Sequence, residues 1–182
     1  MHNLKDLPVG QDAPRIVNAI IEIPKGNRNK YEYDIDLGVM KLSRVLYSSI
    51  HYPAAYGFVP STLWDDGDPM DILILINEPL ATGVLVEAKP IGILRMRDEK
   101  ENDDKLLAIA VNDPTYRSIR DIKDVPEHML LEIEHFFQTY KKLEHKHVES
   151  LGWDNVVSAQ DSIRRAQELY KKSIRKKRTV KK

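Results

Sequence analysis

Asp66-Gly67-Asp68-Pro69-Met70-Asp71 runs without a break into Ile72-Leu73-Ile74-Leu75-Ile76, and the junction sets the reading of the rest of the chain. The apolar half has the length and composition of a strand buried on both faces. It is far too short to cross a bilayer. The acidic half places three carboxylates within six residues, and these repel one another unless cations hold them. Hard divalent cations take oxygen ligands, and magnesium is typically shared between carboxylates, waters and substrate phosphates. Gly67 and Pro69 tighten the turn, so the aspartates converge at the mouth of the strand. The plainer reading is an exposed acidic turn, since Asp, Gly and Pro favour turns for local reasons. A calcium-binding EF-hand loop does not fit. It needs Gly sixth, an oxygen ligand fifth and Glu twelfth, whereas Gly67 is second, Met70 fifth and Asn77 twelfth.

Outward from this junction, the first two-thirds of the chain reads as strands and turns. Ile16 to Ile23 is rich in β-branched residues and stops at Pro24. Lys30 to Asp36 alternates, with Tyr31, Tyr33 and Ile35 on one face and charged residues on the other. Asp36-Leu37-Gly38 fits a hairpin connection into Val39 to Val45. Gly83 to Ala88, Ile91 to Met96 and Leu106 to Val111 are further strand candidates, and short strands at regular spacing suggest a small barrel or sandwich. The last third is helical. Asp124-Val125-Pro126-Glu127 has the form of a capping box. Met129, Leu130, Ile133, Phe136, Phe137, Tyr140 and Leu143 then form one apolar stripe. A second helix begins after Asp154. There is no internal repeat and no interdomain linker: residues 1–175 read as one domain and 176–182 as a basic, disordered tail.

The chain has 182 residues and no cysteine, which excludes disulfides, thiolate metal sites and cysteine nucleophiles. The N-terminal sequence lacks the features of a secretory or transit peptide, and a cytoplasmic location is expected. With 28 acidic and 28 basic residues the net charge is zero, but the signs are segregated. Four aspartates and no base lie between Asp65 and Asp71, and no acid follows Lys171. Local fields therefore matter more than the net value.

Other charged groups add to the aspartate cluster. Asp98 follows a strand candidate and precedes Asp103 and Lys105. Glu22 is an isolated acid in an apolar run, a position that requires a partner. Lys30 and Glu32 share one strand face, and Arg44 precedes a tyrosine-rich segment. A site for a polyanionic phosphate needs acids for metals and Lys or Arg for phosphate oxygens. Taken singly, each of these residues except Glu22 is explained by a solvated face. The six histidines form no ligand pattern.

Together these residues resemble the family I soluble inorganic pyrophosphatases of prokaryotic type. Asp66 to Ile72 is similar to the family signature. Ile21-Glu22-Ile23-Pro24, Lys30-Tyr31-Glu32, Arg44 with Tyr52-Pro53 and Tyr56-Gly57, the Asp98, Asp103 and Lys105 spacing, and Phe136-Phe137 with Tyr140-Lys141 follow in the family's order. The resemblance extends from about Val9 to about Trp153. It implies a mainly β, α+β fold: a five-stranded OB-like barrel flanked by two C-terminal helices. It also implies magnesium-dependent hydrolysis of inorganic diphosphate to two phosphates, with several Mg2+ per site, no covalent intermediate, and a homohexamer.

The roles carried by the resemblance are as follows. Asp66, Asp71 and Asp103 ligate the tight metal, with Asp71 also reaching a second, and Asp68 activates the water between those two. Asp98, Glu22 and Glu32 serve the metals that arrive with substrate. Lys30, Arg44, Tyr56, Lys105, Tyr140 and Lys141 hold the phosphates, and Tyr52 sits beside Asp68 or its water. Ala55 departs from the family, which usually has a polar residue there. Two alternatives stand beside this reading. One is a magnesium-dependent hydrolase of other phosphoanhydrides, although GxxxxGK[ST] is absent. The other is an OB-type nucleic-acid binder using tyrosines and the basic tail, which the acidic cluster disfavours by repelling a phosphate backbone. Neither a nucleic-acid nor a membrane partner is expected.

Overall fold

A computed structural model of the chain describes residues 3–98 and 101–180, the side chains of 177–180 excepted. In chain order the elements are β1 (Val17–Ile23), β2 (Asn29–Asp34), β3 (Val39–Val45), β4 (Ala55–Phe58), β5 (Asp71–Leu75), β6 (Leu85–Asp98), β7 (Glu101–Asn102), β8 (Lys105–Ala110), α1 (Glu127–Thr139), β9 (Val148–Asn155) and α2 (Val156–Val180). Five strands close on themselves in the order β1-β4-β5-β8-β6, with β6 returning to β1. This is an OB-like barrel, and closure leaves these strands no unpaired edge. β2 and β3 form a separate hairpin.

The apolar run at the centre of the sequence is buried on both faces, as its composition predicts. Ile72 and Ile74 pack in one cluster with Ile93, Leu106, Ala159, Ile163 and Ala166. Leu73 and Leu75 point the other way, into a cluster with Leu94, Leu107, Ile133, Phe136 and Phe137. Thus α2 covers one cluster and α1 the other. β5 and β8 are parallel, with Asp71 beside Lys105, so the chain enters both strands at the same end of the barrel.

Several boundaries differ from the sequence expectation. Gly83 to Ala88 and Ile91 to Met96 belong largely to one long strand, β6, which passes through Pro90 at a register shift. Proline has no N–H for the ladder and is tolerated at such an irregularity. β9, which pairs along Gly92 to Asp98 of β6, was not legible because its sequence, VESLGWDN, lacks clear alternation. The capping box lies earlier than expected. Asp121 is the cap, and Asp124 accepts from its N–H at 3.1 Å, whereas α1 starts after Pro126 with no side-chain cap. The helix ends at Thr139, so Leu143 falls outside it and is exposed. The tail expectation is corrected over 176–180: α2 continues to Val180, because Lys and Arg are good helix formers. Residues 181–182 lie outside the described residues.

Candidate active site

The end of the barrel where β5 and β8 begin opens into a cavity of about 690 Å³. Its wall carries eight acids and four lysines: Glu22, Glu32, Asp66, Asp68, Asp71, Asp98, Glu101 and Asp103, with Lys5, Lys30, Lys105 and Lys141. Tyr33, Tyr56, Phe58, Pro69 and Tyr140 complete it. Residues distant in sequence meet here because the barrel strands end together. β1 supplies Glu22, β2 supplies Lys30 and Glu32, and β4 supplies Tyr56. Asp71 and Lys105 open the parallel pair, and Asp98 closes β6.

At the centre, Lys105 is almost fully buried and donates to both Asp71, at 2.5 Å, and Asp103. Burial alone would lower its pKa, but the two carboxylates outweigh that and hold it above the ordinary lysine value. The Tyr56 hydroxyl donates to the same Asp71 oxygen at 2.5 Å. Its own ionisation is suppressed by burial first and by the Asp71 charge second. Tyr56 is fixed from behind by rings of Tyr52 and Phe137, and Tyr140 stacks on Phe136. The Phe136-Phe137 pair is therefore the buried support of two site tyrosines.

The remaining lysines are also paired. Lys30 donates to Glu32 at 2.5 Å, which keeps that carboxyl below its ordinary range although burial pushes it up. Lys141 donates to Asp98, whose other oxygen is buried and has no hydrogen-bond partner among the described residues. Lys5 stands 3.0 Å from Asp68.

The acids behave as a crowded set. Burial pushes Glu22 up to about 7 against the opposing hydrogen bond from the Tyr33 N–H at 2.8 Å. Asp66 remains exposed, but partial desolvation by the crowded wall and then the charges of Asp71 and Asp103 push it up to about 6. Asp103 is also raised by burial, despite the Lys105 contact. Among the described residues no three acidic or histidine side chains already converge as a finished ligand set, and Lys105 stands between two of the acids. Oxygen-only donors, the orphaned Asp98 oxygen and crowded carboxyls that resist ionisation together fit hard divalent cations.

Twelve of the fourteen side chains singled out in the sequence line this cavity, and Arg44 and Tyr52 do not. Arg44 lies opposite Lys30 in the β2–β3 register and donates to Glu144 at 2.9 Å. Tyr52 is sealed in the aromatic cluster, its ring centroid 4.7 Å from that of Phe136, and it does not line the cavity with Asp68. Ala55 packs in the barrel core opposite Ile74, where a small apolar side chain belongs. Sequence reasoning missed Lys5 and Glu101, which carry no local signal of proximity to the aspartates.

Carboxylates suited to cations, set beside lysines suited to anionic oxygens at the mouth of a closed barrel, define a class: enzymes that act on phosphates with metal help. The comparisons with known proteins narrow the class. The model of the inorganic pyrophosphatase family matches residues 19–171. The inorganic pyrophosphatase of Thermus thermophilus is 49% identical over 174 residues, covering 94% of this chain and 99% of its own. That of Haloferax volcanii is 45% identical, covering 93% and 97%. The crystal structure of the Thermus thermophilus enzyme superposes with a TM-score of 0.91 at 48% identity, over 93% of this chain and 99% of that one. The chain belongs to the inorganic pyrophosphatase family.

Proposed function

We propose that this protein hydrolyses inorganic diphosphate to two phosphates, using magnesium. The observation that carries the reading is the pairing in the cavity: each lysine is held by an acid that a divalent cation would claim. Asp66, Asp71 and Asp103 would hold the tight metal, and Glu22, Glu32 and Asp98 those that accompany substrate. Bound divalent cations supply charge neutralisation on both phosphates and a water of lowered pKa. Asp68 accepts the proton of the attacking water. Lys30, Lys105, Lys141, Tyr56 and Tyr140 grip phosphate oxygens, and Arg44 joins them on leaving Glu144. Lysine acts there as a point charge and arginine as a two-pronged donor. Buried and partly buried donors aimed at the leaving phosphate stabilise developing charge more than the same groups in water. No covalent intermediate is needed.

Among the described residues no helix is long and apolar enough to cross a membrane, which is compatible with a cytoplasmic enzyme. A homohexamer is the proposed assembly. Leu131 and Leu143, exposed on and just after α1, are available to such an interface, and sedimentation would measure it. The activity test is phosphate release from diphosphate, ATP and tripolyphosphate, with magnesium and with excess chelator. Magnesium-dependent release from diphosphate well above the other two is expected. Equal turnover of all three, or full turnover in chelator, would overturn the reading.

A further inference from the structure

We infer that Lys5 is a substrate-contact residue, a fourth lysine of the phosphate-binding set, supplied by the N-terminal turn. The inference rests on the diphosphate reading above. Lys5 lies before residue 19, where the family match begins, yet it lines the same cavity as Lys30, Lys105 and Lys141.

Its presence there is built, not incidental. The turn Leu4–Asp6 is capped by Asn3, whose side chain accepts from the Lys5 N–H at 3.1 Å. Ser61 donates its N–H to the Lys5 carbonyl at 2.8 Å and its hydroxyl to the Leu7 carbonyl at 2.7 Å. Tyr170 of α2 donates to Asp6 at 2.6 Å. Leu4 and Leu7 pack on the cluster of Ile20, Tyr33 and Phe58. These contacts fix the backbone from three sides and aim one flexible side chain into the cavity.

The Lys5 ammonium then meets Asp68 at 3.0 Å, although that carboxylate remains 70% exposed. An ion pair so open to water contributes little to stability, so it does not account for an anchored turn. The pattern of the site does account for it. Lys30, Lys105 and Lys141 each rest on an acid proposed for metal or water. When cations and water engage those acids, an ammonium at the same place is left facing the phosphate oxygens. Lys5 occupies the corresponding position over Asp68, at the mouth, where it would meet the outer phosphate.

The test uses the full chain with Lys5→Ala, Lys5→Gln and Lys5→Arg at saturating magnesium. Calorimetry with inorganic phosphate and with imidodiphosphate, a non-hydrolysable diphosphate analogue, measures affinity directly. Steady-state kinetics gives KM and kcat, and thermal melting reports the fold. Loss of one charge-assisted contact at a partly exposed site predicts analogue binding weaker by about three- to tenfold in the Ala and Gln variants. KM should rise by a similar factor, kcat should stay within about twofold, and Arg should restore most of the affinity. Unchanged analogue affinity in Lys5→Gln overturns the inference. So does a fall in kcat at unchanged affinity, which would make Lys5 a positioning residue for Asp68. If the Ala variant melts early, the Gln variant, which keeps most of the stem, decides. Failure of the wild-type protein to bind the analogue or release phosphate would instead overturn the diphosphate reading itself.

Discussion

Arg165 of α2 donates to Asp65 at 2.6 Å, across 100 positions of chain. The other oxygen of Asp65 accepts from Asn102 at 3.1 Å. Asp65 immediately precedes Asp66, and Asn102 immediately precedes Asp103. One carboxylate thus ties together the two turns that carry the proposed tight-metal ligands, and α2 anchors it. The Arg165 guanidinium also lies over the Trp64 ring at 4.7 Å.

Replacing Arg165 by Ala should therefore loosen both turns. The pair is partly solvent-exposed, so the stability loss should be small, about 0–1 kcal/mol. Magnesium affinity should fall more clearly, by a few-fold, because the ligands lose their support. Arg165→Lys should rescue poorly, since lysine lacks the planar group that stacks and forks. Metal titration and melting curves on both variants separate the two effects. Normal metal affinity in Arg165→Ala would count against the tie.

Asp68 and Asp71 should fail in different ways. Asp71 shares its oxygen with Lys105 and Tyr56 inside the site, whereas the Asp68 carboxylate is mostly exposed at the mouth. Asp71→Asn should weaken metal binding strongly. Asp68→Asn should keep the tight metal and slow turnover by roughly 100- to 10,000-fold, the usual worth of general-base help. Part of that loss should return as pH rises. If Asp68→Asn loses metal as badly as Asp71→Asn, or turns over normally at saturating magnesium, the division of roles is wrong.

Glu22 and Asp66 set a pH dependence with a definite sign. Their folded values, about 7 and about 6, lie above ordinary values of 4.5 and 3.8. The fold thus holds protons that the unfolded chain releases, and their contribution to stability is lost as pH rises through the folded values. Metal-free protein should lose melting temperature between about pH 5 and about pH 7.5, and Glu22→Gln should flatten part of that fall. Saturating magnesium should raise the melting temperature more at the higher pH, because cations and protons compete for the same oxygens. A larger magnesium effect at the lower pH would contradict this.

Gly57 tests the barrel. A Cβ at this position would lie 1.9 Å from the Ile20 carbonyl oxygen on the neighbouring strand. That obstacle is backbone in a closed sheet and has little room to move. Gly57→Ala should destabilise the fold by about 1–3 kcal/mol or more and displace Tyr56 from Asp71. Chemical denaturation and diphosphate turnover would register both effects, and wild-type values for both would show that the sheet yields there.

The sequence by itself determined the strand at Ile72 to Ile76, because a continuous apolar run after a tight acidic turn leaves it little choice but burial. It determined the hairpin at Asp36 to Gly38, since alternation and turn chemistry are local. It also determined that the barrel strands precede both helices, although β9 falls between the two. Through the family its motifs resemble, it pointed to twelve of the seventeen residues that line the cavity. The limits were set wherever a contact is long-range. β9 exists because the exposed flank of a long β6 accepts a partner, and its own residues carry no period that announces it. α2 outran its expected end because a run of Lys and Arg reads as a solvated tail until a helix feeds into it. Arg44 turned to Glu144, and Tyr52 sank into the aromatic cluster, because neighbours from α1 and the turn after it arrive only through folding. Lys5 reached Asp68 for the same reason. An ion pair between positions 5 and 68 is fixed by where the barrel closes, and distance along the chain carries no record of that closure.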